Sequence, residues 1–326
     1  MRESLIKFFP SVANRIPNIG QLKGKNILVV GASGLIGNHV LATLKETGCY
    51  IFILRNNNMP FVITDAIVYD WKTLFKSSIP FDYIIYLAGY GQPNKFISLK
   101  LNTLLLNTEL VHKTFKLLAS SGKGIYASSA EVYSGLMVEA TENMIGTTTP
   151  DHPRACYAEG KRCGEAFIHA FNEYDRDIKI ARIALSYGSG VQYNDTRVIS
   201  DFIRMGLEDG VIRSNGGLSG VRTCCYVSDT VIMLLNIMLN GKSTVYNVGG
   251  DYYVTLRDIL YDIAHGTNSV IEWGDENGVE SAPSFVGMCM DKYYNEFHIE
   301  DDFILTNWYV GLSKTIEWFK YLKDNK

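Results

Sequence analysis

Short apolar runs alternate with longer segments of helical periodicity along residues 24–185. The first run, Asn26–Val30, is of buried-strand type, and a glycine-containing turn separates it from a helical pattern that ends at Gly48. A second apolar run, Tyr50–Leu54, follows at once. Strand, glycine turn, helix and strand within about thirty residues predict a βαβ unit.

The same alternation continues after this unit. Further strands are predicted at 66–69, 83–87, 124–128 and 178–183, and long helices at 99–118 and 155–173. Buried strands that alternate with helices are typical of a parallel, doubly wound sheet. We therefore predict an α/β fold with a doubly wound, Rossmann-type domain over residues 24–185.

The two ends of the chain follow a different pattern. Residues 1–23 are predicted to form an N-terminal extension, because Pro17 and Gly20 separate them from the first strand. After residue 185 the pattern loosens into shorter helices, turns and apolar runs. We predict that residues 186–326 form mainly a smaller lobe over the carboxyl edge of the sheet, parts of which can interleave with the first domain.

Composition excludes several classes of protein. The chain has 326 residues, 47% of them hydrophobic, and a formal charge of -3, so it can bury a sizeable core but offers no basic surface for nucleic acid. Its six cysteines lack paired C-x-x-C spacing, which fits a reducing cytoplasm. The longest apolar stretch, 231–239, is too short to span a membrane. The histidines lack the spacing of a metal hydrolase, and no metal site is predicted.

Three glycines form the first candidate site, in the pattern G-x-x-G-x-x-G between a predicted strand and a predicted helix. The first permits a tight turn, the second lets backbone approach a pyrophosphate, and the third allows close packing of helix on strand. The N-terminus of the helix then faces the phosphates. This context favours a dinucleotide site over a merely flexible turn. The predicted contacts are Gly31, Ser33, Gly34, Leu35, Ile36 and Gly37.

Residues after the next strands refine the cofactor prediction. Arg55 stands where an acidic residue would bind the ribose of NAD, and an arginine there suits the 2′-phosphate of NADP. NADP is therefore favoured over NAD, although Arg55 has the alternative of being an exposed residue at a strand end. Asp70, with its neighbour Trp71, is a candidate for the adenine edge. The fourth strand closes with residues that a cofactor would contact, namely Leu87, Ala88 and Gly89.

The candidate reacting groups fall into two pairs. Tyr157 and Lys161 are four residues apart in a predicted helix and share one face of it. A phenol that accepts a proton near neutral pH needs a pKa below its usual value of about 10, and we predict that Lys161 lowers it. Ser129 and Glu131 leave the fifth strand and project to the same side if the extended geometry persists. The alternatives are a solvated helix surface for the first pair and an ordinary turn for the second.

Together these motifs resemble the nucleotide-sugar epimerase/dehydratase branch of the extended short-chain dehydrogenase/reductase superfamily. The resemblance includes the glycine turn, Ser129-x-x-x-Tyr133 and Tyr157-x-x-x-Lys161. It continues into the second lobe through the segments 220–229 and 246–249. Within this branch the chain resembles UDP-glucuronate decarboxylases and NDP-sugar 4,6-dehydratases, which implies that the lobe of residues 186–326 is mainly nucleotide-sugar-binding.

The resemblance implies a mechanism. Tyr157, its pKa lowered by Lys161 and by the oxidised nicotinamide, would take the proton from the sugar 4-hydroxyl while hydride moves to bound NADP or NAD. Lys161 would bind the nicotinamide ribose, and Ser129 would share a hydrogen bond with the reacting oxygen. Glu131 favours a dehydratase or decarboxylase over a 4-epimerase or 4-keto reductase, although Ala130 replaces the aspartate of one dehydratase motif and Glu131 has the alternative role of capping the next turn. A non-catalytic, NAD(P)-sensing regulator is a further alternative, which the intact tyrosine and lysine disfavour.

Substrate contacts are predicted in the second lobe. A guanidinium fork suits paired phosphate oxygens, so Arg222 is the candidate diphosphate ligand and Arg197 a further nucleotide contact. Their alternatives are a surface salt bridge and an exposed helix residue. Leu185 stands where many relatives have an asparagine that contacts the nucleotide sugar, so the substrate's identity is left open. The resemblance also suggests a homodimer formed through the two long helices, and a role in surface polysaccharide or glycoside synthesis.

Overall fold

A computed structural model describes residues 3–54, 61–62, 65–77, 79–214, 218–274, 283–297 and 305–325. The strands within these ranges are β1 Asn26–Val30, β2 Tyr50–Leu54, β3 Ile67–Tyr69, β4 Phe81–Tyr86, β5 Leu118–Ser129, β6 Asp177–Ile183, β7 Leu185–Tyr187, β8 Val211–Ser214, β9 Val221–Tyr226, β10 Val245–Val248, β11 Tyr253–Thr255, β12 Val270–Trp273 and β13 Phe285–Val286. The α-helices are α1 Glu3–Ile6, α2 Leu35–Leu44, α3 Trp71–Leu74, α4 Pro93–Ser98, α5 Lys100–Asn107, α6 Glu109–Phe115, α7 Ala155–Asn172, α8 Val198–Asp209, α9 Val227–Asn240, α10 Leu256–Thr267, α11 Asp291–Phe297 and α12 Trp308–Asp324. Short 3-10 helices cover Ala13–Arg15, Ile19–Leu22 and Ala130–Tyr133.

Seven parallel strands form the main sheet, in the order β10-β6-β5-β4-β1-β2-β3. The chain builds one half outward from β1 to β3 and then returns to build the other half from β4. This arrangement confirms the predicted doubly wound α/β fold. The strand order reverses between β1 and β4, and ligands of such sheets bind in the crevice at the carboxyl ends of the strands flanking that point.

Apolar side chains cover both faces of the sheet. In β1, Ile27 and Val29 belong to one buried cluster, whereas Leu28 and Val30 belong to the other. Alternation of this kind follows from the two-residue period of a strand. Because both faces are buried under helices, the strands are nearly continuous apolar runs, which explains why the sequence pattern revealed them.

The second half of the chain contributes to the main sheet as well as to smaller sheets. Strand β10 pairs with β6, and α9 lies against α2. Strands β7, β9, β11 and β13 form a small sheet, and β8 pairs with β12. The described part of the segment 186–326 is therefore interleaved with the first domain through β10.

The N-terminal segment packs onto the rest of the fold. Phe8, Phe9 and Ile16 are buried, and the ring of Phe9 lies 5.5 Å from that of Trp318 in α12 and 5.1 Å from that of His39 in α2. Residues predicted as an extension thus fill the space between the helix that follows the glycine turn and the last helix.

The predicted helix at 99–118 is two helices in the structure. It breaks between α5 and α6 at Thr108, whose backbone angles of φ -124° and ψ -83° are not helical. The residues from Leu118 onward belong to β5, which begins six residues earlier than predicted. Apolar residues at this junction serve both a helix and a strand, so their spacing did not reveal the boundary.

Disulfides, metal clusters and membrane-spanning helices are absent from the described residues. All six cysteines are free thiols. In the described ranges, no group of three or more His, Cys, Asp or Glu side chains is placed to hold a metal ion. Nor does any helix of those ranges have both the length and the apolar character that crossing a bilayer requires.

Candidate active site

The glycine turn lies at the switch point of the sheet. Gly31 follows β1 with φ +91°, and a Cβ there would lie 2.6 Å from the carbonyl carbon of Leu87. A Cβ on Gly37 would lie 2.4 Å from the carbonyl oxygen of Gly31. Gly34 precedes the first turn of α2, where the first N–H groups have no intrahelical partner and the helix dipole favours an anion. Close backbone approach and free donors fit the pyrophosphate of a dinucleotide.

The end of β4 connects this turn to the reacting groups. The Leu87 N–H donates to the Val30 carbonyl at 2.7 Å, which holds the two strand ends side by side. Two residues later, the Cβ position of Gly89 is 3.5 Å from Nζ of Lys161. A larger side chain at Gly89 would therefore press on the lysine. This contact joins the predicted cofactor residues to the predicted catalytic ones.

The candidate adenosine contacts have other roles in the structure. The carboxylate of Asp70 accepts the Thr73 N–H at 2.8 Å and caps α3, and this hydrogen bond lowers its pKa. Trp71 is exposed and stacks on Phe75 with ring centroids 5.9 Å apart. Arg55 lies outside the described residues, so the preference for NADP stays a prediction.

Helix α7 brings Tyr157 and Lys161 to the end of β5, where Ser129 is located. The Ser129 side chain lies near the phenol of Tyr157 and lowers its pKa. Nζ of Lys161 lies 5.8 Å from the centre of the Tyr157 ring and donates to the Ala127 carbonyl at 2.7 Å. The structure therefore brings a serine, a tyrosine and a lysine together in one place.

The predicted lowering of the Tyr157 pKa is wrong for the protein groups alone. Burial raises the pKa of Tyr157, and the nearby Ser129 side chain opposes this rise. The charge of Glu131 raises the Tyr157 pKa further, whereas the charges of Arg154 and Arg197 lower it. Lys161 does not supply the expected effect because burial lowers its own pKa to about 7, against the opposing charge of Glu165. The sequence showed that the two side chains share a helix face but not that both are buried.

Glu131 reaches the site by a different route from the one predicted. Strand β5 ends at Ser129, and Glu131 lies in the following 3-10 helix, where its N–H donates to Oγ of Ser129 at 3.2 Å. One carboxylate oxygen accepts hydrogen bonds from Nε of Arg154 and Oγ of Ser134, each at 3.1 Å. The other oxygen accepts a hydrogen bond from Nη2 of Arg154. A turn rather than an extended strand therefore orients Glu131, and both of its oxygens accept hydrogen bonds.

Sequence reasoning missed three residues of the site. Phe96 in α4 is buried and stacks on Tyr157, with ring centroids 4.8 Å apart and 13° between planes. The Arg154 guanidinium lies 4.9 Å from the same Phe96 ring. Asn107, at the break between α5 and α6, is fully buried and lies near the Gly89 and Lys161 contact. Arg154 precedes Tyr157 by about one helical turn, a spacing that signals proximity.

The two predicted substrate arginines lie in different elements. Arg197, just before α8, forms a fork with the buried Asp195, with Nε and Nη2 each 3.0 Å from a carboxylate oxygen. Its charge is close enough to lower the pKa of Tyr157. Arg197 and Leu185 line one small pocket. Arg222 lies in β9, and its guanidinium donates to the Val221 carbonyl at 2.7 Å.

A buried polar network supports the site from behind. Glu165 of α7 accepts Nη2 of Arg182 at 2.7 Å and Oγ of Ser128 at 2.5 Å. Arg182 of β6 also donates to the hydroxyl of Tyr133 at 2.9 Å, and that hydroxyl donates to Asn247 of β10 at 2.7 Å. The network links α7 to three neighbouring strands. Since a satisfied buried network rigidifies its surroundings, it fixes the backbone that carries the reacting groups.

The strand order and the glycine turn define the chain as a Rossmann-type α/β protein. A sequence model of the NAD dependent epimerase/dehydratase family matches residues 27–249, and the chain belongs to that family. This match confirms the predicted family and its nicotinamide dinucleotide cofactor.

Similar proteins agree with this assignment. UDP-glucuronic acid decarboxylase 1 of Danio rerio is 28% identical over 270 residues, which cover 76% of this chain and 63% of that protein. The chain thus spans less than two thirds of that relative's length. The solved structure of the epimerase Mth375 from Methanothermobacter thermautotrophicus has a TM-score of 0.81 at 20% identity, covering 94% of this chain and 95% of its own. That of MoeE5 in complex with UDP-glucuronic acid and NAD has a TM-score of 0.76 at 19% identity, covering 91% and 99%. At these identities the structural likeness concerns the fold.

Proposed function

We propose that this chain is an enzyme that oxidises the C4 hydroxyl of a nucleoside-diphosphate sugar and then eliminates water or carbon dioxide from the 4-keto intermediate. The observation that carries the proposal is the meeting of Ser129, Tyr157 and Lys161 beside Gly89, at the carboxyl edge of the sheet. A proton acceptor for the sugar thereby adjoins the predicted cofactor residues.

The first half of the reaction assigns a role to each of these residues. A bound nicotinamide dinucleotide supplies the hydride acceptor for C4. Tyr157 takes the hydroxyl proton, and Ser129, which lies near the phenol, orients the same sugar oxygen. Because burial raises the pKa of Tyr157, the protein groups alone favour the protonated phenol. We therefore expect the rate of C4 oxidation to rise with pH above neutrality.

The second half depends on Glu131, which carries a negative charge beside Tyr157. In the family, a glutamate at this position favours elimination over simple epimerisation. Relatives whose names include UDP-glucuronic acid decarboxylase support a nucleotide-sugar substrate. Arg197 and Arg222 are proposed to hold its phosphates, and the protein is proposed to act as a cytoplasmic homodimer.

The test is direct incubation with nucleotide sugars. Purified protein with bound cofactor is mixed with nucleoside-diphosphate hexoses and hexuronates, and products are followed by mass spectrometry. Loss of water or carbon dioxide without consumption of added cofactor is the expected result. Stoichiometric oxidation of added NADPH would identify a 4-keto reductase instead, and no change in any sugar would contradict the proposal.

A matched variant separates catalysis from cofactor sensing. Tyr157→Phe removes the hydroxyl and keeps the ring that stacks on Phe96. An enzyme loses turnover in this variant and retains cofactor binding. If the wild type turns over no sugar and Tyr157→Phe binds the cofactor as the wild type does, a non-catalytic regulator would be favoured.

A further inference from the structure

Arg154 and Glu131 form a mostly buried salt bridge near the reacting phenol of Tyr157. The arginine donates through Nε and Nη2 to the two carboxylate oxygens, and Ser134 donates to one of them as well. The side chains of Arg154 and Glu131 are only 7% and 17% exposed. Arg154 also lies over the Phe96 ring, which stacks on Tyr157. The Glu131 carboxylate is therefore held in place by the Arg154 guanidinium, which is itself held by packing on Phe96.

The two proposed eliminations place different demands on such a carboxylate. Loss of water from C5 and C6 of a 4-keto hexose requires a base that takes the C5 proton, and the C6 hydroxyl then departs as water. Loss of carbon dioxide from a 4-keto hexuronate breaks the C5–C6 bond, and its electron pair moves into the C4 carbonyl to give an enolate. Water then protonates C5 and the ketone reforms. Only the first path needs a base at C5.

This proposal rests on the proposed oxidation at C4. We propose that Arg154 is a positioning residue that keeps both oxygens of Glu131 engaged, so that Glu131 does not take the C5 proton. The substrate is then a hexuronate that loses carbon dioxide. To act as the C5 base, Glu131 would first have to give up charge-assisted hydrogen bonds to the guanidinium, which are about twice as strong as neutral ones. Since a bidentate pair also fixes direction, the carboxylate keeps one orientation beside the C4 oxygen.

Four proteins test this role. Arg154→Met removes both donors, Glu131→Gln removes the charge, and the double variant removes both. Arg213→Met is the matched control, since Arg213 pairs with Asp209 at 2.9 Å on an exposed surface of α8 and β8. Each is incubated in heavy water with a nucleoside-diphosphate hexose and, separately, a hexuronate. Proton NMR follows deuterium at C5, and absorbance follows cofactor reduction.

The wild type and the Arg213→Met control should reduce the cofactor with the hexose while keeping its C5 proton. Arg154→Met should gain deuterium at C5, and the double variant should lose this exchange again. Release of carbon dioxide from the hexuronate should fall roughly 10- to 100-fold in kcat in Arg154→Met with little change in KM, since a misplaced group can cost about 10² in rate. Fast C5 exchange in the wild type, or none gained in Arg154→Met, would overturn the proposal.

If the hexose does not reduce the cofactor, turnover of the same variants is compared with the nucleotide sugar that does reduce it. Turnover of the double variant equal to that of Glu131→Gln supports action of Arg154 through Glu131, and multiplied losses overturn it. Failure of the proposed function would appear separately, as no cofactor reduction by any nucleotide sugar.

A readout without turnover uses the ultraviolet titration of Tyr157, taken as the difference from Tyr157→Phe. The charged and polar groups that act on the phenol or lie near its ring are Ser129, Glu131, Arg154, Lys161 and Arg197. Because Glu131 raises the Tyr157 pKa and Arg154 lowers it, the phenol should ionise at lower pH in Glu131→Gln and at higher pH in Arg154→Met. Unmoved titrations in both variants would overturn the positioning role.

Discussion

Replacing Lys161 with methionine should abolish turnover and yet stabilise the fold. Burial lowers the pKa of Lys161 from 10.5 to about 7. The unfolded chain therefore holds the proton over a pH range in which the folded chain has released it. Since the unfolded state binds more protons between these two values, the free energy of unfolding of the wild type rises with pH across that window.

The size of this effect follows from the two pKa values. One pKa unit corresponds to about 1.4 kcal/mol, so raising the pH from 7 to 9 should stabilise the wild type through Lys161 by about 2.5 kcal/mol. Below pH 7 the buried charge costs about 5 kcal/mol. Methionine removes this cost but loses the hydrogen bond to Ala127, about 1 kcal/mol, and the contact with the Tyr126 ring, up to about 2 kcal/mol. The variant should thus gain about 2 kcal/mol at pH 6.

Urea unfolding at pH 6 and pH 9 measures these differences. Lys179→Met is the matched control, because Lys179 is also buried but pairs with Asp177 at 2.8 Å. Titrating groups that do not interact with Lys161 contribute equally to the wild type and to Lys161→Met and cancel in the comparison. The reasoning is refuted if Lys161→Met keeps the full pH dependence of the wild type, or if it is the less stable protein at pH 6.

Three further outcomes are expected. Tyr157→Phe should lose turnover by roughly 10²- to 10⁴-fold and retain cofactor affinity by calorimetry; substantial residual turnover would contradict its role as proton acceptor. Gly37→Ala places a Cβ 2.4 Å from the Gly31 carbonyl oxygen and should lower stability by about 1–3 kcal/mol and weaken cofactor binding, measured by thermal melts with and without NAD; an unchanged melt would argue against the close approach. Leu101 and Leu105 of α5 are 75% and 52% exposed, so Leu101→Glu should convert the proposed dimer to monomer in sedimentation; a persistent dimer would place the interface elsewhere.

The sequence was most informative where a local pattern carries its own physical cause. The glycine turn could be predicted because a close backbone approach tolerates no side chain, and the structure shows that approach at Gly31 and Gly37. The shared helix face of Tyr157 and Lys161 followed from helix periodicity, and the resemblance to the family joined Ser129, at a strand end, to them. These features depend on short stretches of chain, so neighbouring residues suffice to reveal them.

What the sequence did not reveal depends on contacts between distant segments. Glu131 meets Arg154 across 23 residues, and Phe96 meets Tyr157 across 61, so no period or motif marks either contact. The direction of the Tyr157 pKa also depends on burial by several elements at once. The roles of Arg222 and of Arg55 in binding remain predictions, the latter outside the described residues.

The hydrogen-bonded link from Arg182 through Tyr133 to Asn247 has a consequence for how the chain unfolds. A fragment that ends at residue 185 would lack β10, leaving β6 as an open sheet edge and a buried tyrosine hydroxyl without its acceptor. Open edges promote aggregation, and an unmet buried polar group is destabilising. We expect the two halves to melt in a single cooperative transition, and neither half to persist as a soluble, folded fragment when expressed without the other.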